Sequence, residues 1–328
     1  MVTWVRLYHN SMLKFGIHKI SQLTDKSKCY GIFGDKKHFS IALYGEISHL
    51  PDSEELSQEI LMQFADTRGV YKRTYSGRFE EFDKQCVQII HKTFFREKIF
   101  VHDVGVSDAR TSCDFYEKLH IFFPDCEFYA SDFYPDVIIL YKGSAMVVIN
   151  DSLEVLETTI PPFVWNRSKI RKEKFLYPVN FLLKWLIEKT ITKKMLDDYR
   201  KGNITMQKKL SLFCQKAKEL SQSNPCFHLL KHNILDKSPI HGLSVLRAMN
   251  ILNPSYFSTK ELQHAILSFL QSIVENGIFI TGSNQDSDSI VHGTIYQKKD
   301  FCFVPVAVSG QGSPVNDIVC QIKALRLV

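Results

Sequence analysis

The sequence lacks long apolar runs and closely spaced cysteines. Its strongest apolar stretches, residues 137–140 and 146–149, are separated by Lys142 and Gly143, and neither approaches the roughly 18 residues that a membrane-spanning helix needs. The 8 cysteines include no C-x-x-C pair and the 12 histidines are dispersed, so no set of side chains has the spacing of a metal site. We therefore expect a cytoplasmic protein with reduced thiols, no membrane span and no metal.

The charge balance is also modest. The chain has 41 Lys and Arg against 35 Asp and Glu, a net charge of +6 without the clustering of a nucleic-acid surface, so a nucleic-acid partner is not expected. Hydrophobic residues make up 45% and charged residues 23% of the chain, which is typical of a globular protein. A length of 328 residues allows one large α/β domain with an insertion or two modest domains.

The most informative segment spans residues 99–119. A short apolar run ends at Asp103, continues through Gly105 and the small residues Ser107 and Ala109, and is followed by a helical pattern, so we predict strand, tight loop and helix. Such a loop places backbone N–H groups at the carboxyl end of a strand, where doubly wound folds bind nucleotides. The same residues also suit an ordinary strand-to-helix turn in any α/β protein.

A second acidic strand end follows at the spacing used for nucleotide recognition. The predicted strand 127–132 ends at Asp132, roughly 20 to 30 residues beyond the loop, where a carboxylate can accept hydrogen bonds from two ribose hydroxyls. The alternative is that Asp132 caps a helix beginning at Phe133.

Further strands are predicted toward the C-terminus. The predicted strand at residues 227–236 ends in Asp236, whose carboxylate could contact a ligand, or could instead be solvated or cap the strand end. Residues 243–250 form another strand candidate. An amphipathic helix is predicted from Thr259 to about residue 274. The Asn276-Gly277 pair predicts a turn before a strand at 278–282.

The remaining segments suggest three parts. Short apolar bursts at residues 30–33 and 39–43, followed by helical spacing from Asp52, predict a small N-terminal β/helical extension over residues 1–68. Residues 136–225 form a long interruption that begins with a predicted hairpin, 137–141 and 145–150, and is interpreted as a cap. Its basic run, 167–174, could hold an acidic substrate or form a solvated face. The core then comprises residues 69–135 and 226–328.

The order of the phrases suggests a family. DVGVSD at 103–108, ASD at 130–132, RAMNILNPSYF at 247–257 and NGIFITG at 276–282 resemble class I S-adenosylmethionine-dependent methyltransferases, and are distantly similar to the chemotaxis-receptor methyltransferases. The resemblance covers about residues 70–310 with the interruption. It implies an α/β fold with a Rossmann-like, seven-stranded, mostly parallel sheet, helices on both faces and an antiparallel last strand. Residues 293–297 and 301–308 could supply the closing hairpin of that sheet. It also implies S-adenosylmethionine as cofactor and a methyl acceptor that is either a small molecule or a protein side chain.

The resemblance also implies site residues. Arg247 and Asn250 occupy the place where these enzymes meet their acceptor, although Arg247 could instead pair with a carboxylate of its own chain. The candidate cofactor-binding residues are Asp103, Gly105, Ser107, Asp108, Asp132 and Asp236.

Two other classes remain open. A nicotinamide-dependent oxidoreductase would require G-x-G-x-x-G, but Ser107 and Arg110 stand at the later glycine positions. A non-catalytic binding or effector protein could keep the same fold without turnover.

Overall fold

The computed structural model describes residues 16–24, 38–47, 53–64, 72, 74–95, 97–166, 178–204, 206–284 and 290–322. The chain divides into two compact units, one formed by residues 1–73 with 136–212 and the other by 74–135 with 213–328. The segment 136–225, interpreted from sequence as one cap, is thus divided after residue 212, and its larger part packs with the N-terminal segment.

Fourteen strands are formed by the described residues: β1 (Gly16–Ile17), β2 (His38–Phe39), β3 (Phe100–Val104), β4 (Glu127–Asp132), β5 (Asp136–Lys142), β6 (Ala145–Ile149), β7 (Val155–Ile160), β8 (Phe163–Asn166), β9 (Gln207–Ser211), β10 (Phe227–Lys231), β11 (Leu243–Met249), β12 (Ile273–Ser283), β13 (His292–Lys299) and β14 (Cys302–Ser309). The α-helices are α1 (Ser21–Thr24), α2 (Ser53–Gln63), α3 (Glu80–Thr93), α4 (Arg110–His120), α5 (Pro178–Ile187), α6 (Lys193–Arg200), α7 (Gln215–Ser223), α8 (Thr259–Ser272) and α9 (Asn316–Gln321). A 3-10 helix covers Ile41–Gly45 and a π-helical turn covers Glu188–Thr192.

The second unit is built on a seven-stranded sheet with the order β10-β4-β3-β11-β12-β13-β14. The first five strands are parallel, whereas β13 pairs antiparallel with both of its neighbours. The Rossmann-like α/β class predicted from the sequence is therefore confirmed. The one strand that runs against the others is β13 and not the last strand, because β13 pairs antiparallel with β12 and β14 pairs antiparallel with β13.

Helices cover both faces of this sheet, because the parallel strands are apolar on both sides. In β11, Val245 faces the cluster packed by α3, α4 and α7, while Leu246 faces the cluster packed by α8 and α9. Each face therefore has its own core, and the carboxyl ends of the strands remain the edge at which polar side chains gather.

The connection from α8 to β12 differs from its prediction. Ser258 and Glu261 form a capping box at the start of α8, and the helix ends at Ser272, two residues before the predicted end. Asn276 and Gly277 lie inside β12 at a register shift, with Asn276 at φ +64°, so the predicted turn is wrong and the pair forms an irregularity within the strand.

The first unit contains a five-stranded antiparallel sheet with the order β8-β7-β6-β5-β9. Its β5-β6 pair is the hairpin predicted at 137–150. The N-terminal segment contributes the parallel pair β1-β2 and the buried 3-10 helix, which replaces most of the strand predicted at 39–43; the burst at 30–33 lies outside the described residues. The buried Glu157 of β7 accepts hydrogen bonds from Ser40 Oγ and from the Ile41 N–H at 2.8 Å, which ties this segment to the sheet.

None of the helices within the described ranges is long and apolar enough to cross a membrane.

Candidate functional site

The candidate site lies at the carboxyl edge of the seven-stranded sheet, where β3 and β11 are neighbours. From β3 the chain continues to β4 and β10 on one side, and β11 and β12 lie on the other, so the order of the strands reverses at this point. Ligands of open α/β sheets bind at such a switch point. Gly105, Asp132 and Asn250 follow or end β3, β4 and β11 there.

The loop after β3 is held in place by the end of β4. Gly105, Ser107 and Ala109 have φ values of +68°, +61° and +63°. The Gly105 and Val106 N–H groups donate to the Ser131 carbonyl at 2.8 and 3.1 Å, and the Ser107 N–H donates to Asp132 Oδ2 at 2.7 Å. Three N–H groups that the sequence offered for ligand binding are thus engaged within the chain.

The expected open space beside Gly105 is occupied. A Cβ at this position would lie 2.7 Å from Cγ1 of Ile251, so glycine is required both by its positive φ and by the isoleucine side chain. The side chain of Ile251 therefore fills the position of a Cβ at Gly105, and the close approach of a cofactor to this backbone stays a prediction. The loop contributes to the site by positioning Asp132.

Asp132 is half-buried at the end of β4 and is the centre of the local hydrogen bonds. Besides accepting from Ser107, its carboxylate accepts from the Tyr134 N–H at 3.0 Å, and its carbonyl accepts from the His232 N–H at 3.0 Å. The helix-cap alternative is wrong, because β5 begins at Asp136 and the bond to Tyr134 closes a turn instead. The carboxylate is thus fixed between the β3 loop and the turn that follows β4, and the backbone of the same residue bonds to the chain leaving β10.

Arg247 does not reach the carboxyl edge. It is 1% exposed, and its Nη1 donates to Asp103 Oδ2 at 2.7 Å while Nη2 donates to Asp83 Oδ1 at 3.0 Å. The rings of Phe79 and Phe115 lie 5.2 and 4.7 Å from its guanidinium carbon. The predicted acceptor-binding role is corrected: Arg247 pairs with carboxylates of its own chain, which was the alternative.

Burial and the ion pairs act in opposite directions on the pKa of all three groups. Burial raises the pKa of Asp83 to about 6, against the lowering effect of Arg247. Burial likewise raises the pKa of Asp103, although Arg247 and Ser112 Oγ, at 2.7 Å, oppose the shift. Burial alone would lower the pKa of Arg247, but the two carboxylates outweigh it and raise it. Asp103 is therefore a supporting residue inside the sheet, and its predicted contact with a cofactor is corrected.

Of two further predicted aspartates, one lies in the core and one at the surface. Asp108 is fully buried, and its carboxylate accepts from the N–H and side chain of Arg110 at 3.2 and 3.3 Å, so it stabilises the start of α4. Asp236 was predicted to end a strand, but β10 ends at Lys231 and Asp236 lies exposed in a later turn.

Asn250 does lie at the edge, in a polar group that bridges β11 and β12. It has φ +59°, its Oδ1 accepts from the Asn284 N–H at 3.1 Å, and its Nδ2 donates to Asn284 Oδ1 at 3.2 Å. Arg78 Nε donates to the same Oδ1 at 2.8 Å. Asn284 is 8% exposed, and its Nδ2 is buried without a hydrogen-bond partner among the described residues. This edge therefore presents N–H donors.

On the other side of Asp132 lie two buried histidines. His102 Nε2 is 2.8 Å from Ser131 Oγ, and the His102 and His232 ring centroids are 5.5 Å apart. Burial, together with His232, lowers the pKa of His102 to about 3, and burial lowers the pKa of His232 against the pull of Asp236, so both rings are neutral at pH 7. His232 Nε2 has no hydrogen-bond partner within the described part of the chain. No group of three or more His, Cys, Asp or Glu in the described ranges could hold a metal.

Four of these residues were missed from the sequence: Asp83, Arg78, Asn284 and His232. Asp83 carried a signal, because it interrupts the apolar spacing of α3 between Phe79 and Val87, and a buried acid calls for a cation such as the one inside β11. Asn284 follows a strand end as Asn250 does, and that position could have suggested it.

No protein-family model matches the sequence, and no curated protein sequence matches it. Solved structures similar to the chain include an amino pentose methyltransferase from Micromonospora echinaspora with S-adenosylmethionine bound, at 7% identity, 67% of this chain, 64% of that chain and a TM-score of 0.29. The chain thus covers less than two thirds of that protein. Another is magnesium protoporphyrin IX methyltransferase from Synechocystis, at 9% identity over 70% of this chain and 77% of that chain, with a TM-score of 0.31. A third is the N-methyltransferase NodS from Bradyrhizobium japonicum, at 10% identity over 71% of this chain and 74% of that chain, with a TM-score of 0.30. With scores at this level, the function has to be argued from the residues of this chain.

Proposed function

We propose that this chain binds S-adenosylmethionine at the carboxyl edge of the seven-stranded sheet and transfers its methyl group to an acceptor held beside Asn250 and Asn284. The observation that carries the proposal is the position of Asp132, a carboxylate fixed at the end of β4 next to the switch point of the sheet. At that place in doubly wound folds an acidic residue accepts the ribose hydroxyls of a nucleotide.

The residues around Asp132 fit an adenosyl group. A carboxylate has about four acceptor positions, and that of Asp132 already accepts from the Ser107 and Tyr134 N–H groups, so a bound ribose would share the carboxylate with them. His232, whose backbone bonds to Asp132, has a buried ring nitrogen without a partner in the described residues, and such an atom calls for a polar group of a ligand. Ser107, whose N–H donates to the Asp132 carboxylate, lies in the loop that follows β3.

The proposed acceptor site beside Asn250 and Asn284 is lined by hydrogen-bond donors. When bound, the cofactor supplies a methyl group already activated on a sulfonium. The chain has to align the acceptor and exclude water. Asn284 Nδ2 and the Arg78 guanidinium, which is bonded to Asn284, favour an acceptor carrying an oxyanion such as a carboxylate. A carboxylate nucleophile needs no general base. This agrees with the side chains of the described residues that are bonded to Asn284, an amide and a guanidinium, because neither of them can take up a proton at neutral pH.

Calorimetric titration with S-adenosylmethionine, S-adenosylhomocysteine and NAD tests the proposal. We expect the first two ligands to bind and NAD not to bind. Asp132→Asn should weaken binding by about tenfold or more, because a charged acceptor of the ribose hydroxyls is lost. The matched control is Asp125→Asn, an exposed aspartate before the start of β4, which should leave the affinity within about twofold. Undiminished affinity in Asp132→Asn with an unchanged fold would reject the assignment.

A non-catalytic binding protein is the second candidate. It is favoured by the engagement of three loop N–H groups with β4 and by the internal pairing of Arg247, since these groups are satisfied without a ligand. Incubation with S-adenosylmethionine and a panel of carboxylate, hydroxyl and amine acceptors separates the two. Release of S-adenosylhomocysteine that depends on an acceptor supports the transferase, whereas binding without release supports the second candidate.

A further inference from the structure

Helix α5 of the first unit exposes an apolar face. Val179, Phe181, Leu182, Trp185 and Leu186 follow helical spacing on one side of the helix, and Leu182 and Trp185 are 55% and 48% exposed. Single exposed apolar side chains are ordinary on protein surfaces. Five on one face, including a tryptophan and a phenylalanine, form a continuous surface that favours burial against another phase or partner.

The polar side of the same helix points inward. Asn180 is 8% exposed and its Oδ1 accepts from the indole Nε1 of Trp165 at 3.1 Å, while the half-buried Lys184 donates from Nζ to the Asn166 carbonyl at 3.3 Å. The helix is therefore fixed to the first unit by its polar residues, and its apolar residues face out. A helix that merely packs on its own unit has the opposite arrangement.

Positive charge adjoins this face. Lys189, Lys193 and Lys194 are exposed in the π-helical turn and in α6, which continue directly from α5. The nearby acids have basic partners: Glu188 lies 3.9 Å from Lys184, Asp197 lies 3.2 Å from Arg200, and Asp198 bonds to Lys142. In sequence, residues 166–201 carry 11 Lys or Arg against 4 Asp or Glu, whereas the whole chain has a net charge of only +6.

We propose that α5 docks on a membrane surface rich in anionic lipid, lying in the plane of the interface with its apolar face among the headgroups. An exposed apolar face with Trp, Phe and Leu beside lysines is the composition of interfacial helices, and lysines near an anionic leaflet add attraction. A second copy of this chain fits less well, because a two-fold contact would set the same patch against itself and bring its lysines together.

The test uses the full chain with vesicles of phosphatidylcholine alone or mixed equally with phosphatidylserine. Trp4, which lies outside the described residues, is replaced by Phe in every protein tested, and Trp165 is only 4% exposed, so Trp185 is the reporter. Trp185→Phe removes its signal while keeping the face aromatic. We expect a blue shift of tryptophan emission and co-flotation with the anionic vesicles, at least about tenfold stronger than with phosphatidylcholine alone. The Trp185→Phe protein should still float but should lose the shift.

Two variants separate the contributions of the face and the charges. The double change Leu182→Gln with Leu186→Gln, and the triple change of Lys189, Lys193 and Lys194 to Glu, should each lower partitioning by about tenfold or more. Ile121→Gln, at a 75% exposed apolar position in the other unit, is the matched control and should bind as the unchanged chain does. Unaltered circular dichroism confirms that each variant folds.

The proposal fails if the chain does not bind anionic vesicles, or if the Leu182 and Leu186 changes leave binding unaltered. It also fails if light scattering shows a dimer that these changes dissociate while vesicle binding is absent, since the face would then belong to a second copy.

Discussion

Arg247 Nη2 lies 3.0 Å from Oδ1 of Asp83, although the two residues are 164 positions apart in the chain. The pair joins the interior strand β11 to helix α3, and Asp103 of β3 completes it. All three side chains are almost fully buried, so each charge is stabilised by its partners and not by water. The ion pair between Arg247 and Asp103 in this triad therefore fixes β11 to β3, the two strands that Asn250 and Gly105 follow.

Removal of the cation should be costly. Arg247→Met leaves Asp83 and Asp103 buried without their partner, and we expect the free energy of unfolding to fall by about 3–5 kcal/mol. Urea titration at neutral pH measures the loss. Because the triad is buried inside the unit and the proposed cofactor contact is Asp132, the variant should keep its affinity for S-adenosylmethionine under conditions in which it is folded.

The control replaces the whole triad. Asp83→Asn and Asp103→Asn combined with Arg247→Met remove all three charges of the triad, and such a replacement should recover much of the lost stability. A cost below about 1 kcal/mol for Arg247→Met alone would contradict the role assigned to the ion pairs.

Gly105 and Gly242 provide a matched pair for the loop after β3. Both have positive φ, +68° and +73°, but a Cβ would meet Ile251 only at Gly105, whereas nothing lies within 4 Å at Gly242. Gly242→Ala should cost about 1 kcal/mol from backbone strain. Gly105→Ala should cost about 1–3 kcal/mol more because of overpacking. Thermal unfolding measures both, and Ile251→Ala should reduce the difference between them; equal costs would rule out the contact.

Glu157 predicts a pH dependence of stability in the first unit. Burial raises its pKa from an ordinary 4.5 to about 7, against the hydrogen bonds from Ser40, Ile41 and Thr159. The folded state therefore binds this proton more tightly than the unfolded state. Its contribution to the free energy of unfolding is fully present below about pH 4.5 and is lost as the pH rises through about 7.

Glu157→Gln should remove a downward slope of at most about 1.4 kcal/mol per pH unit in this window. Denaturant titrations across the window, compared with the exposed Glu188→Gln as control, measure the difference between the two slopes. Parallel profiles for Glu157→Gln and the unchanged chain would contradict the raised pKa.

Local patterns of the sequence determined much of the sheet. The strand predicted at 127–132 coincides with β4, and the hairpin at 137–150 and the helix from Thr259 are also present. These elements depend on apolar periodicity and capping, which neighbouring residues carry by themselves. The positions of Asp132 and Asn250 at strand ends followed from the same patterns, and their roles at those ends stay predictions.

Only the tertiary structure decided what the polar residues meet. Arg247 was placed correctly in a strand, but its partners come from α3 and β3, and no local pattern brings those together. The space beside Gly105 was taken by Ile251, from the other side of the switch point. The spacing within α5 defines an apolar face but not its direction, because the inward anchors of the helix are Trp165 and Asn166 of another element. Periodicity specifies elements through local geometry, whereas burial and pairing depend on residues distant in the chain.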